Sequence, residues 1–327
     1  MHIPDGFLNA KTAVATGALA AGGLATALHQ VRRQLPRRKI PLLGLAAAFV
    51  FASQMLNFPV PGGTSGHLIG SVLIAVLLGP GAAVVVLTSV LIVQCLLFAD
   101  GGLTALGANV FNMGVVGGVA GYWIFRGVRA VFGGIRGLVM AAAFAAWCAT
   151  VLAAILCAGE LALSGTSPWP LVFPAMTSVH MLIGLGEALI TALVVVAITR
   201  TRPELLQREH KEEDLVVSYG SFLAFGLLIC LGLTLFVAPF ACSLPDGLEK
   251  VSHVLGFESD AASHPLIPTP IRDYHFPGVG SAPMAISLAG MIGTAVVFLL
   301  AYLLARWLVP KHSGEPHAAT APFKTVP

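Results

Sequence analysis

Charged residues are scarce in this sequence: Asp, Glu, Lys and Arg fill 10% of its 327 positions, against roughly 25% in an ordinary soluble domain. A soluble fold of this length needs more charge than that to cover its surface. Hydrophobic residues fill 57% of the chain, and several apolar runs reach the ~20 residues that a helix needs to cross a bilayer. The composition excludes an ordinary soluble domain and predicts an all-α membrane protein.

Cysteine is sparse and has no pattern. The five cysteines are scattered, four of them lie inside apolar runs, and no two form a Cys-x-x-Cys pair. Such a set argues against a disulfide framework and against a thiolate metal site. We expect these cysteines to be small apolar packing residues.

Motifs of several enzyme classes are missing. The sequence has no Gly-x-x-x-x-Gly-Lys-[Ser/Thr] phosphate-binding loop, so we do not expect this chain to hydrolyse ATP. A Ser/His/Asp arrangement and a His-Glu-x-x-His motif are missing too, and we predict that the chain is not an enzyme.

No basic residue precedes Lys11, which argues against a cleavable signal peptide. We therefore expect the encoded N-terminus to remain in the mature protein.

The hydropathy pattern predicts about nine membrane spans. A charged stretch separates the seventh span from the eighth. The third span is short enough to be partly re-entrant. The predicted spans are about 7–28, 40–57, 67–79, 82–98, 106–125, 137–160, 175–199, 216–240 and 284–308.

Basic residues cluster between the predicted spans. With nine spans, 15 of the 18 Lys and Arg fall on one side of the membrane, and the exceptions are Lys11, Lys250 and Arg272. Cytoplasmic loops carry the excess of Lys and Arg. The distribution predicts a multi-pass protein of the cell (inner) membrane with its N-terminus outside and its C-terminus in the cytoplasm.

The chain divides into two membrane parts. Residues 1–200 are predicted to form a seven-helix bundle, and residues 201–215 a solvated cytoplasmic linker. Residues 216–310 are predicted to form a two-helix hairpin with one long outer loop, about 241–283. The tail, 311–327, is predicted to be disordered.

The first two residues carry the atoms of a metal chelate. The Met1 amine and the His2 amide nitrogen can close a five-membered ring on one ion, and the amide and Nδ1 of His2 can close a six-membered ring. Three nitrogens then lie in one plane with the fourth corner open, and planar nitrogen sites favour Ni²⁺ or Cu²⁺. The amide must lose its proton, which metal binding can drive. An ordinary frayed terminus is the alternative for His2.

The first long loop on the predicted outer side supplies a second histidine. Asn57, Ser65 and His67 lie in this loop, which two prolines stiffen and several glycines allow to turn tightly. His67 could fill the open corner of the chelate, with Asn57 and Ser65 as supporting hydrogen-bonding residues. The alternative is an interfacial histidine that binds nothing.

Four polar residues lie inside apolar segments. Asn109 and Asn112 are three residues apart and could hold the N-terminal segment or join helices. His180 and Glu187 are seven residues apart, about two helical turns. Glu187 is near mid-membrane, where an ionisable group indicates function by default, and a structural hydrogen bond between spans is the alternative. We expect Glu187 to be nearly alone as an intramembrane acid, which argues against a proton-coupled antiporter.

The first span contains small residues at a four-residue spacing. Gly17 and Ala21 form one such pair, and Ala18 and Gly22 form another. Faces of this kind let a second helix approach closely. They are candidates for partner docking or for packing inside the bundle.

Four separated motifs resemble the CbiM/NikM family, the substrate-binding (S) components of energy-coupling-factor transporters for cobalt and nickel. In chain order they are the MHIPDGFL start, the 57–67 loop, the 102–114 stretch and the 180–187 segment. The PDGLE sequence at 245–249, with the span after it, resembles the PDGLE/CbiN-like hairpin. The chain is therefore similar to a fused M–N component.

The resemblance implies a ligand set, a substrate and partners. The ligands are the Met1 amine, the amide and imidazole of His2, and the His67 imidazole. The implied substrate is Ni²⁺ or Co²⁺, nickel slightly favoured, carried for metalloenzymes or cobalamin synthesis, with no organic cofactor. The implied partners are a membrane T component and cytoplasmic ATPase subunits. The alternatives are a stand-alone proton-coupled metal permease and a membrane enzyme or assembly factor of cobalamin synthesis.

Overall fold

The computed structural model describes residues 1–206, 219–262, 264 and 266–310. Most of the described chain is helical, as its apolar composition predicts. The predicted tail and most of the predicted linker, residues 207–215, lie outside the described residues. The helices are α1 (Ala10–Gln34), α2 (Ile40–Gln54), α3 (Ser71–Leu78), α4 (Pro80–Val93), α5 (Leu106–Asn109), α6 (Gly121–Val131), α7 (Gly134–Ser164), α8 (Trp169–Thr201), α9 (Gly220–Gly232), α10 (Gly247–Leu255) and α11 (Ala282–Leu308).

Seven helical segments of the described chain are long and apolar enough to cross a membrane. They confirm an all-α membrane protein and match seven of the nine predicted spans. The other two predicted spans are α2, with 15 residues, and α3, with 8. At 1.5 Å per residue α3 is about 12 Å long, far short of a ~30 Å hydrocarbon core. The count of nine and the orientation of the termini stay predictions.

Three π-helical stretches interrupt the regular helices. Gln94–Phe98 ends the span that α4 begins, Val110–Ala120 joins α5 to α6, and Leu233–Val237 extends α9. Such stretches are rare and occur often at functional sites. The first stretch begins at Gln94 and the second begins directly after Asn109. Both of these residues contact the N-terminal segment.

Small residues let the helices pack closely. Helix α7 packs along α8 and buries a row of alanines. The hairpin helix α11 packs against α2. A Cβ atom at Gly293 would lie 2.1 Å from the Phe51 ring, so glycine is required where these two helices meet. The hairpin is therefore part of the same packed core as the bundle.

The loop that contains His67 forms a β-hairpin. Strands β1 (Phe58–Val60) and β2 (Thr64–Gly66) pair antiparallel, with Phe58 opposite Gly66. Gly62 and Gly63 both have positive φ in the turn, a conformation that favours glycine. This β-hairpin turns the chain back into the bundle, and α3 begins after it at Ser71.

The long outer loop of the carboxy-terminal part contains a helix. The sequence predicts one loop over about 241–283, but α10 forms within it. Asp246 and Glu249 form a capping box at its start, with each side chain accepting a hydrogen bond from the other residue's main-chain N–H. The PDGLE sequence thus begins a helix. Hydropathy misses this helix because it is short and amphipathic.

Candidate metal centre

The chain begins inside the protein. Met1 is 5% exposed and Ile3 is fully buried. The Met1 amine nitrogen lies 3.1 Å from Nε2 of His67. The structure thus brings together the terminal amine and the loop histidine that the sequence singled out, and the alternative of a frayed terminus does not apply.

His2 lies beside His67. The two imidazole rings stack with centroids 5.3 Å apart and an angle of 21° between their planes. Nδ1 of His2 lies 3.2 Å from a carboxylate oxygen of Asp100, and its Nε2 lies 3.2 Å from the side-chain oxygen of Gln94. An ion bound through Nδ1 would replace the contact with Asp100.

The electrostatics favour neutral imidazoles. Burial lowers the pKa of His2, and burial together with the nearby terminal amine lowers the pKa of His67 well below its usual range. Burial alone would raise the pKa of Asp246, but the terminal amine and His67 outweigh it and hold this pKa below its usual range. Two neutral histidines beside an ionised carboxylate are suited to bind a cation, because an imidazole binds metal only when neutral.

Hydrogen bonds hold the N-terminal segment in place. The side-chain oxygen of Asn109 accepts from the Ile3 N–H at 2.8 Å, and its amide nitrogen donates to the Ile3 carbonyl at 3.1 Å. The Gly102 N–H donates to the same carbonyl at 2.8 Å. Asp5 accepts from the N–H and hydroxyl of Thr104 at 2.8 and 2.6 Å. Asn109 therefore orients the main chain directly after His2.

Glu187 holds the backbone that follows His67. Its two carboxylate oxygens accept from the N–H groups of Ile69 and Gly70 at 2.6 and 2.9 Å. Gly70 has a φ of 80°, which favours glycine. The buried acid of α8 therefore fixes the chain that carries His67.

Two buried glutamines, which the sequence reasoning missed, connect the two histidine segments. The Gln94 amide, whose oxygen contacts His2, donates to the oxygen of Gln54 at 2.8 Å, and the Gln54 amide donates to the Ile69 carbonyl at 3.1 Å. Both glutamines lie inside apolar segments, and a polar side chain in such a segment is the sequence feature that could have identified them. They fix the distance between the two histidine-bearing backbones.

The long loop of the carboxy-terminal part contacts the site. The Ser65 hydroxyl donates to the Leu244 carbonyl at 2.7 Å, and the Asn57 carbonyl accepts from the Cys242 N–H at 2.9 Å. The second carboxylate oxygen of Asp246 accepts from the Met1 amine at 2.7 Å. Asn57 and Ser65 thus join the two parts of the chain, while Asp246 reaches the terminal amine.

Asn112 contacts neither histidine, whereas His180 lines a small cavity together with Met1, His67 and Asp246. Asn112 donates to Glu160 at 2.8 Å and so joins the π-helical stretch to α7. The expectation that Glu187 is nearly alone is wrong, because Glu160 is a second buried carboxyl group. Nδ1 of His180 lies 2.8 Å from the Met176 carbonyl in its own helix. Its Nε2 faces Gly247 of α10 and has no hydrogen-bond partner among the residues that the structure describes.

The small residues of α1 divide into two groups. Gly17 contacts Gly107 inside the bundle, where a Cβ atom on Gly107 would lie 2.5 Å from Cα of Gly17. Ala18, Ala21 and Gly22 are exposed on the outer surface of α1. One part of the predicted face therefore packs internally, and the other is open to a partner or to lipid.

Main-chain groups provide the metal-binding potential of this site. Within the described ranges, no three side chains of His, Cys, Asp and Glu form a metal-binding cluster. The Met1 amine and His2 amide nitrogens are main-chain atoms, so a cluster of side chains does not include them. Metal–nitrogen bonds of about 2.0–2.1 Å place adjacent corners of a planar site about 2.9 Å apart. The 3.1 Å between the Met1 amine and His67 Nε2 is compatible with two such corners.

Comparison with known proteins agrees with this picture. Residues 2–205 match the family model CbiM, described as the cobalt uptake substrate-specific transmembrane region, and residues 220–310 match the PDGLE domain. The "Putative fused nickel transport protein NikMN" of Archaeoglobus fulgidus is 36% identical over 94% of this chain and 99% of its own length. The cobalt transport protein CbiM of Geobacter sulfurreducens is 38% identical over 64% of this chain and 62% of its own length.

A solved structure is similar as well. A crystal structure of a truncated transition-metal transporter is 36% identical and superposes with a TM-score of 0.56, covering 61% of this chain and 99% of that one. These similarities extend over the bundle, and the Archaeoglobus relative also spans the hairpin. The chain belongs to the CbiM family of cobalt uptake substrate-specific transmembrane proteins, carries a PDGLE domain after the bundle, and is a multi-pass membrane component of nickel or cobalt transport.

Proposed function

We propose that this chain is the metal-binding component of an ATP-driven energy-coupling-factor importer for Ni²⁺ or Co²⁺. The observation that carries the proposal is the buried Met1 amine, 3.1 Å from His67 Nε2, with the His2 ring stacked on His67. The amine and the two imidazoles bring nitrogen donors together at one place, and nitrogen donors of this kind bind Ni²⁺ and Co²⁺. The ion is the transported substrate and not a resident cofactor.

The proposed ligands are four nitrogens. The Met1 amine and the His2 amide close a five-membered ring on the ion, the His2 amide and Nδ1 close a six-membered ring, and His67 Nε2 takes the fourth corner. The two chelate rings force three of these nitrogens toward one plane. Ni²⁺ accepts planar nitrogen geometry readily, and several relatives are named for nickel transport. We therefore favour nickel over cobalt.

The energy for transport is proposed to come from separate subunits. The sequence has no phosphate-binding loop of its own. A membrane T component and cytoplasmic ATPase subunits would supply ATP hydrolysis and move the loaded bundle. The exposed small residues Ala18, Ala21 and Gly22 of α1 offer a surface on which a partner helix could pack closely.

Metal uptake with and without a co-expressed ATPase module tests the proposal. We expect accumulation of labelled Ni²⁺ only when the module is present, and none with the His67→Ala variant under either condition. Accumulation without ATP hydrolysis would overturn the proposal in favour of a proton-coupled permease, for which Glu160 and Glu187 are two buried acids. No accumulation under either condition would favour a membrane enzyme or assembly factor.

A further inference from the structure

One carboxylate of the PDGLE sequence contacts the proposed metal ligands directly. Oδ1 of Asp246 accepts from the N–H groups of Leu248 and Glu249 at 2.8 and 2.9 Å and so caps α10. Its Oδ2 accepts from the Met1 amine at 2.7 Å. Because α10 holds the first oxygen, the second is fixed in direction and in distance from the amine.

This contact is compatible with a bound ion. An amine bound to a metal keeps two N–H groups, so Met1 can still donate to Asp246 while its lone pair binds the ion. The hydrogen bond then fixes the direction of that lone pair. Asp246 would therefore position the ligand both before and during metal binding.

The charge of the loaded site also requires a partner. A divalent ion bound by one deprotonated amide and by neutral amine and imidazole groups leaves a net charge of plus one. A buried charge without a partner is costly. Asp246, whose side chain is 17% exposed, supplies one negative charge next to the amine. Asp100 lies on the opposite side, near His2, and its other oxygen accepts from the Tyr274 hydroxyl at 2.6 Å.

Asp246 also borders a cleft next to the site. A cleft of about 780 Å³ lies between the N-terminal segment and α10, with His2 and Asp246 on its wall. Its lining carries more acidic than basic side chains, because Asp100, Glu249 and Glu258 accompany a single lysine, Lys250. Such a lining attracts cations.

We propose that Asp246 is a positioning and charge-compensating residue of the metal site, so that the PDGLE hairpin completes the site that the bundle begins. This inference depends on the proposed function. It gives the hairpin a defined role, in which Asp246 orients the terminal amine and neutralises the loaded complex from the side of the acidic cleft.

Metal affinity of three single variants of the full chain tests the inference. Asp246→Asn keeps a capping side chain and removes the charge, and Asp246→Ser serves as a second variant that also caps. Asp273→Asn is the matched control, because it removes a charge from the same long loop at a side chain that is 72% exposed and lies 3.3 Å from Arg272. Each is titrated with Ni²⁺ against a competing chelator, and its melting temperature and the visible spectrum of the saturated protein are recorded.

We expect Asp246→Asn and Asp246→Ser to lose about 10- to 100-fold in affinity, with the spectrum of the saturated protein unchanged because the four nitrogens stay the same. Asp273→Asn should retain wild-type affinity. Wild-type affinity in both Asp246 variants, or an equal loss in Asp273→Asn, overturns the inference. His67→Ala distinguishes failure of the inference from failure of the proposed metal site. If His67→Ala loses binding and the Asp246 variants do not, the proposed site stands and the inference about Asp246 fails. If His67→Ala keeps binding, the proposed site itself fails.

Discussion

Asn109 shows how a single side chain would prepare the proposed metal site. Its amide group forms both hydrogen bonds that a neighbouring strand would form, one with the N–H and one with the carbonyl of Ile3. The backbone of His2 is thereby held in the orientation that the chelate requires. Asn112, one turn further along, contacts Glu160 and not the N-terminal segment.

Replacing Asn109 by Ala should weaken metal binding. The variant loses both hydrogen bonds to Ile3, so the start of the chain must be ordered by the ion itself. We expect a loss of about tenfold or more in Ni²⁺ affinity, measured by competition titration. Asn112→Ala is the matched control and should lower the melting temperature while keeping the affinity. Equal affinity losses in the two variants would show that Asn109 has no special position.

The residues that contact each other at the site were only partly predictable. The sizes of the possible chelate rings singled out Met1 and His2, and the loop suggested His67. These residues were predictable because the geometry of a metal site limits which donor atoms can bind one ion. Gln54, Gln94 and Asp246 were missed as site residues. Their contacts depend on how distant segments pack, and no local spacing in the sequence encodes that.

Helix α10 is the element that connects the hairpin to the site. Gly247 is its first residue, and it lies directly against His180 of α8. A Cβ atom at this position would lie 2.6 Å from Cε1 and 2.8 Å from Nε2 of the His180 ring. The close approach keeps Asp246 within reach of the terminal amine.

Substituting Gly247 by Ala should displace α10. The added methyl group overlaps His180, so the helix must move away and carry Asp246 with it. We expect lower Ni²⁺ affinity and a lower melting temperature. Gly232→Ala in α9 is the control, because nothing lies within 4 Å of its added Cβ atom; its affinity should be unchanged. Wild-type affinity in Gly247→Ala would mean that the position of α10 does not matter to the site.

The elements themselves were predicted unevenly. The long apolar helices followed from hydropathy, and the Gly79-Pro80 turn lies where α3 ends and α4 begins. The shortness of α3 was anticipated, whereas α10 was missed. A nine-residue amphipathic helix has no apolar run, and its only signal is the Asp-x-x-Glu capping box.

The whole molecule combines the buried, proposed metal site with an exposed helix face that could pack against a partner. Helix α1 is the least buried of the spans within the bundle, and Ala18, Ala21 and Gly22 are exposed on it. These three residues are exposed whereas the His67 side chain is buried, so binding and transport should be separable by substitution.

Enlarging the exposed face of α1 should block transport without affecting metal binding. Gly22→Trp places a large side chain where a partner helix would approach, and nothing within the described chain lies within 4 Å of the new Cβ atom. We expect ATP-dependent uptake in cells to fall, with the Ni²⁺ affinity of the purified chain unchanged. Leu193→Trp, at a position 60% exposed on α8, is the control and should transport normally. Normal uptake in Gly22→Trp would place the partner elsewhere.

The terminal amine is the ligand on which the proposed metal centre depends, and one measurement tests it most directly. Chains that retain the bacterial formyl group differ from deformylated chains only at that nitrogen. Native mass spectrometry of a mixture of the two, with limiting Ni²⁺, separates them by mass within one sample. We predict that the bound ions, one per loaded chain, are found on the deformylated chains while the formylated chains stay empty. Equal loading of both forms would contradict a metal centre built on the Met1 amine.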